Sequence, residues 1–158
     1  MKYTLSILRI GMGWIFFWAF LDKLLGLGFA TETAKSWLSG NSPTTGFLKF
    51  ATHGPFKPFF ESLAGSTIVD WLFMIGLFGI GLSLILGIGM RIAAYSGSLL
   101  LFLMWLALLP PENNPILDDH IIYILVLMVL DRSDAGEYFG FGKSWKKTSL
   151  VKKYPLLR

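Results

Sequence analysis

The sequence predicts an all-α membrane protein: a four-helix transmembrane bundle with a long, partly helical outer loop between its first two helices. Three observations carry that expectation. Hydrophobic residues fill 54% of the 158 positions and charged residues only 15%, against about 25% charge in an ordinary soluble domain. Mean hydropathy is +0.60. The charges also gather in short clusters between long apolar runs, the pattern of spans joined by loops.

The first span is read at about residues 3–25 and contains Arg9, Asp22 and Lys23. A signal peptide over residues 1–30 is the competing reading. Arg9 interrupts its apolar stretch, Asp22-Lys23 follow it and bulky aromatics fill it, so a retained span is preferred. The second span, about 68–88, places Gly76, Gly79, Ser83 and Gly87 on one helical face, where small side chains let another helix approach in lipid. The third, about 91–109, offers Ala94 with Ser98, or Ala93 with Gly97, for the same use. The link GIGMR between these spans is short enough to require an antiparallel hairpin.

The fourth span, about 113–131, raises a question. Its uninterrupted apolar run, Ile121 to Leu130, covers only about half of a ~30 Å hydrocarbon core at ~1.5 Å per residue. To cross, the helix must extend backward through Asp118, Asp119 and His120, with Asn114 as N-cap and Pro115 in the first turn.

Between the first two spans, GFLKFATHGPFKPFFESLAG (46–65) is rich in phenylalanine and broken by Pro55 and Pro58. It reads as short interfacial helices lying over the outer mouth of the bundle. After Arg132, Tyr138, Phe139, Phe141 and Trp145 suit an interfacial segment, and 146–158 form a basic tail behind a single membrane domain, 1–145. Four spans put both termini on one side. Lys2, Arg9, Arg91, Arg132 and the tail lysines lie there against only Asp131, Asp134 and Glu137, so both termini are expected to be cytoplasmic in a cell (inner) membrane. The tail is a topology determinant and a contact for membrane lipid, not a nucleic-acid site, since no binding motif accompanies it.

The chain has no cysteine, which excludes an iron–sulfur cluster, disulfide catalysis and thiolate metal sites on this subunit. His53 and His120 form a haem pair only if the outer loop inserts. No flavin, metal or phosphate-loop motif is present, and adjacent helical positions such as Asp119 and His120 point about 100° apart. The remaining chemistry lies in one leaflet, where Asp22 and Lys23 end the first span and Asp118, Asp119 and His120 begin the fourth, beside Asn113 and Asn114. One Asp suffices for a helix cap, and one Lys neutralises one carboxylate. The surplus suggests a pocket with proton-exchanging groups under an aromatic cover, suited to a quinone headgroup or small polar substrate. A purely structural cap is the alternative. At the other end Arg9 needs an acceptor, and a structural contact with Asp131 or with helix-end carbonyls is expected.

Several stretches resemble the DoxX/DoxD family of small four-helix membrane proteins: Arg9 with Gly11, FWAFLDKLLGLG (17–28), GIGLSLILGIGMRIAA (79–94) and PPENNPILDDHIIY (110–123). SPTTGFLKFATHGPF (42–56) is similar to the DoxD-like branch, and the likeness covers about residues 5–145. DoxD is a membrane subunit of thiosulfate:quinone oxidoreductase. The resemblance therefore implies a quinone-associated redox role with a separate partner subunit. On that reading Lys23 and Asn114 donate hydrogen bonds to the headgroup, Asp118 lies beside it, and His120 and Asp119 handle protons. Asp22 orients Lys23, while Trp18 and Phe20 line the apolar slot. A non-enzymatic solute carrier or membrane scaffold is the rival, and exposed small-residue faces leave a homodimer open.

Overall fold

The computed structural model describes residues 1–157 and is helical throughout, with no strand among the described residues. Helix α1 (Lys2–Leu25) has 24 residues, α3 (Thr67–Leu86) 20 and α4 (Met90–Ala107) 18. Each of these three is long and apolar enough to cross a membrane. Their outward faces support that reading: Ile7 is 63% exposed, Ile75 60% and Leu99 60%. Water is a poor solvent for such continuous apolar ribs, and lipid is a good one.

The sequence places the ends of the first three spans within about two residues. The fourth differs. Helix α5 (Asp119–Arg132) has 14 residues, about 21 Å at helical rise, so it is shorter than a ~30 Å hydrocarbon core. Residues 113–118 are not helical, which corrects the expected start. Asn114 caps a turn instead, its Oδ1 accepting from the N–H groups of Ile116 (3.0 Å) and Leu117 (3.0 Å). The helix N-cap is Asp118, whose extended backbone (φ −137°) aims its carboxylate at the N–H groups of His120 (3.0 Å) and Ile121 (3.3 Å).

Helix α1 packs along α3, α3 against α4, and α4 against α5. Their common core holds Met12, Phe16, Met74, Leu77, Leu84 and Leu127. The close approach of α1 and α3 uses glycines other than those the sequence singles out. A Cβ on Gly81 would lie 2.7 Å from the Phe17 nitrogen, and one on Gly13 would lie 2.8 Å from the Ile85 nitrogen. Gly76 and Gly79 meet nothing within 4 Å, so the expected small-residue face is corrected by rotation around the helix. On α4, Ala93, Ala94, Gly97 and Ser98 are all buried. The α3–α4 hairpin turns at Gly87 (φ 72°) and Gly89 (φ 58°), both left-handed.

The outer loop contains a 3₁₀ turn (Thr33–Lys35), a π turn (Phe47–Ala51) and helix α2 (Lys57–Ser62). Leu48 and Phe60 bury themselves against Ala107 at the end of α4. A further tie was not read from the sequence: Asp70 in the first turn of α3 is 7% exposed, and its Oδ1 accepts from Ser42 Oγ (2.8 Å) and Thr44 Oγ1 (2.5 Å). After α5 the chain turns back through residues 133–141 into two short helices, α6 (Gly142–Lys146) and α7 (Ser149–Lys153).

Candidate functional site

At the amino end of α5 a hollow of about 360 Å³ is lined by His53, Leu108, Pro111, Asn114, Asp118, Asp119 and His120, among others. Four of the predicted site residues therefore meet there. Asp118 serves two purposes: Oδ1 caps α5, and Oδ2 receives His120 Nδ1 at 2.7 Å. That bond fixes the imidazole ring and assigns the proton on Nδ1 in the neutral tautomer. Nε2 has no hydrogen-bond partner among the described residues, so it can accept from, or when protonated donate to, a molecule in the hollow. Asp119, the next residue, is exposed and is not spent on the cap.

The other predicted members lie elsewhere. Asp22 is 2% exposed, and its two oxygens accept from the N–H groups of Phe29 (3.3 Å) and Ala30 (3.0 Å). It ties the start of the outer loop to α1, and its charge also attracts the neighbouring Lys23 ammonium. The Lys23 ammonium lies 5.9 Å from the centre of the Phe73 ring. Neither residue lines the hollow, nor is either bonded to the Asp118–His120 pair among the described residues. Trp18 packs edge-on against Phe29 (5.1 Å between ring centres), and Phe20 lies 5.1 Å from Phe78. These rings form an aromatic flank on α1, α3 and the start of the outer loop, not the wall of the hollow.

His53 is the member the sequence did not assign. Its Nε2 lies 3.0 Å from the Pro110 carbonyl oxygen and its Nδ1 3.2 Å from that of Ala51. The His53 backbone N–H also donates to Ala107 O at 3.2 Å. A Cβ on neighbouring Gly54 (φ 72°) would collide with the Leu109 carbonyl. The outer loop is thus seated on the α4–α5 link beside the hollow. Two carbonyl acceptors ask for two N–H donors, which only the imidazolium has. The Pro110 carbonyl first, then that of Ala51, with Glu112 adding charge, hold the His53 pKa above its ordinary value. A raised folded-state pKa stabilises the seat fully below the unfolded value, about 6.5, and that stability is lost as pH rises through the higher folded value. The difference in melting temperature between wild type and His53→Gln should therefore be largest near pH 5.5 and shrink by pH 8.5, a trend that thermal unfolding across that range would show.

At the opposite end Arg9 is fully buried. Its Nη1 donates to the carbonyls of Leu84 (2.7 Å) and Ile85 (3.2 Å), and its Nη2 to those of Tyr138 (3.2 Å) and Phe139 (2.8 Å). The expected ion pair with Asp131 is not formed. Asp131 instead stands 3.9 Å from Arg91 Nε. The alternative expectation, contact with helix-end carbonyls, describes the site, because the last carbonyls of α3 lack intrahelical donors. Gly87 and Gly140 lie against the guanidinium, with Gly136 and Gly142 packed on Gly87 and on each other; a Cβ at any of the four would strike backbone or, at Gly87 and Gly140, Arg9 itself.

Fold and site together define an all-helical protein with three membrane-length helices and a polar hollow against the helix ends. Compared with models of known protein families, with curated proteins and with solved structures, the chain matches none.

Proposed function

We propose that this chain is a quinone-interacting subunit of a membrane oxidoreductase, similar to the DoxD-like subunit of thiosulfate:quinone oxidoreductase. In this reading α1, α3, α4 and α5 form a four-helix membrane bundle, with α5 completed as a span by the extended residues before it. Both termini are cytoplasmic. The observation that carries the reading is the Asp118–His120 pair, bonded at 2.7 Å on the wall of a hollow of about 360 Å³. Small-ligand sites begin at about 300 Å³, so a single substituted ring fits. Leu108, Pro111 and Leu117 offer it apolar faces, while Asn113, Asn114 and His120 offer polar atoms.

A bound quinone would supply the two-electron, two-proton acceptor chemistry. The chain's part is to hold and protonate. His120 Nε2 would bond a ring oxygen, and the Asn114 side-chain amide would orient the ring. Asp118 keeps the imidazole in place through the bond to Nδ1. Exposed Asp119 passes protons between His120 and water. Electrons enter from a partner subunit or directly from the reduced substrate.

Protein purified in mild detergent should retain extractable quinone, and a short-tailed quinone should bind about tenfold more weakly to His120→Ala, roughly the loss of one charge-assisted hydrogen bond. Lys23→Ala should bind normally, because Lys23 does not line the hollow. Absence of quinone, together with unchanged binding by His120→Ala, would leave the carrier or scaffold reading in its place.

A further inference from the structure

The end of the molecule that gathers the start of α1, the α3–α4 turn and the close of α5 holds a second hollow, of about 320 Å³. Gly87, Met90, Arg91, Asp131, Arg132 and Lys146 are among its lining residues. The proposed function does not use it. We propose that this hollow binds the phosphate of an anionic glycerophospholipid, held between Arg91 and Arg132.

The charges decide the sign of the ligand. Lys146 is committed, since its ammonium bonds Asp134 (2.5 Å) and Glu137 (2.8 Å). Asp131 makes one long contact, 3.9 Å, to Nε of Arg91, which leaves both Nη groups of that guanidinium without a partner among the described residues. Arg132 donates from Nη1 to the Met128 carbonyl (3.2 Å) and meets no carboxylate within 4 Å among the described residues. Two guanidiniums with spare donors thus line the same hollow, and guanidinium forks match phosphate oxygens. A second observation points the same way. Helix α4, of 18 residues, begins at this hollow, and Gly89 gives it no side-chain cap. Met90 and Arg91, its first two residues, line the hollow, so an uncapped helix start of the kind that binds anions stands at its wall.

The apolar surface beside the hollow identifies the phosphate's carrier. Ile122, Leu125, Val129 and Arg132 fall at i, i+3, i+7 and i+10, so an exposed rib on α5 ends in a guanidinium; Leu125 is 57% exposed and Val129 53%. On α4, half-buried Arg91 heads the matching rib, followed by exposed Tyr95 and Leu99. Acyl chains lying along these ribs would bring a headgroup to the two arginines, and a soluble phosphate would leave both ribs uncovered. A phosphocholine headgroup would add a quaternary cation beside the two arginines with spare donors, so a bare anionic diester is favoured.

The test uses the full chain in neutral detergent, with retention of lipid followed by native mass spectrometry and melting temperature followed by tryptophan fluorescence. Phosphatidylglycerol should be retained and should raise the melting temperature, while phosphatidylcholine and inorganic phosphate should do neither. The Arg91→Gln/Arg132→Gln variant should bind phosphatidylglycerol about tenfold more weakly, as expected for loss of charge-assisted bonds. Lys35→Gln/Lys49→Gln, which removes charge from the exposed outer loop and not from the hollow, should bind as wild type does. Should the double arginine variant not fold, Arg132→Gln alone reads the same site, because its side chain is exposed and bonds only its own helix; it should weaken binding about threefold, a fraction of one such bond. Equal binding of phosphatidylcholine, equal loss in the outer-loop variant, an equal shift with inorganic phosphate, or unchanged binding by Arg132→Gln would each overturn the proposal.

Discussion

Replacing Arg9 with leucine is expected to remove most of the folded protein. The carbonyls of Leu84 and Ile85 belong to the last turn of α3, where no downstream N–H completes the helical pattern. Arg9 satisfies both, and Phe141 N–H satisfies the next, Leu86 O, at 2.8 Å. The other half of the guanidinium bonds Tyr138 and Phe139, so one side chain joins α1, the end of α3 and the returning segment. Leucine would fill part of the space and leave four carbonyls to find partners where water is scarce. A bond to a charged donor contributes about 1.5–3 kcal/mol, so losing even two costs at least ~3 kcal/mol. Arg9→Lys should be intermediate, because an ammonium cannot reach two separated carbonyl pairs with one fork. Asp131→Asn should stay near wild type: its 3.9 Å contact to a 40%-exposed Arg91 side chain is a weak pair. Monodisperse yield on size exclusion and the melting temperature separate the three. Equal loss from Arg9→Leu and Asp131→Asn would restore the ion pair that the geometry rejects.

The Arg9 case also marks where sequence reasoning stops. A bundle-facing arginine announces its need for acceptors, but backbone carbonyls have no residue signature. The nearest signal is the spacing of Gly136, Gly140 and Gly142, small residues that admit a guanidinium between two backbones. The three long helices were legible, because hydropathy and their glycine and proline stops mark them directly. The start of α5 was not, since Asn114 followed by proline and Asp118 are both good caps, and local propensity does not choose between them. Asp118 prevails because its carboxylate captures His120 as well as the helix N–H groups. Among the site residues, His120, Asp119, Asp118 and Asn114 were found together because they are close in sequence. Lys23 and Asp22 were grouped with them by depth alone, and depth does not fix the direction around a helix. Asp22 faces Phe29 and Ala30. His53, weighed in sequence only as half of a haem pair, has partners that are again carbonyls.

Helix rotation gives the second large effect, a contrast between two glycines on α3 that look alike in sequence. Gly81→Ala would place a methyl 2.7 Å from the Phe17 nitrogen and 2.9 Å from its Cα. Those atoms are backbone, so no rotamer change relieves the clash, and α1 must move away from α3. Overpacking of this kind costs about 1–3 kcal/mol. The shift would also loosen Phe16 and Leu84, which are buried in the common core, and draw Arg9 from the carbonyls of Leu84 and Ile85. Gly76→Ala meets nothing within 4 Å, and alanine is the better helix former by up to ~1 kcal/mol. Gly81→Ala should therefore melt well below wild type in the same detergent, and Gly76→Ala at or slightly above it. Gly13→Ala should behave like Gly81→Ala, because its Cβ would strike Ile85 N and Leu84 Cβ from the other helix. Joining both substitutions should cost less than their sum, since the first separation of the helices already makes room for the second methyl. If Gly76→Ala proved the damaging variant, the face of α3 that meets α1 would be the one read from sequence, and the Arg9 cradle would have to be rebuilt with it.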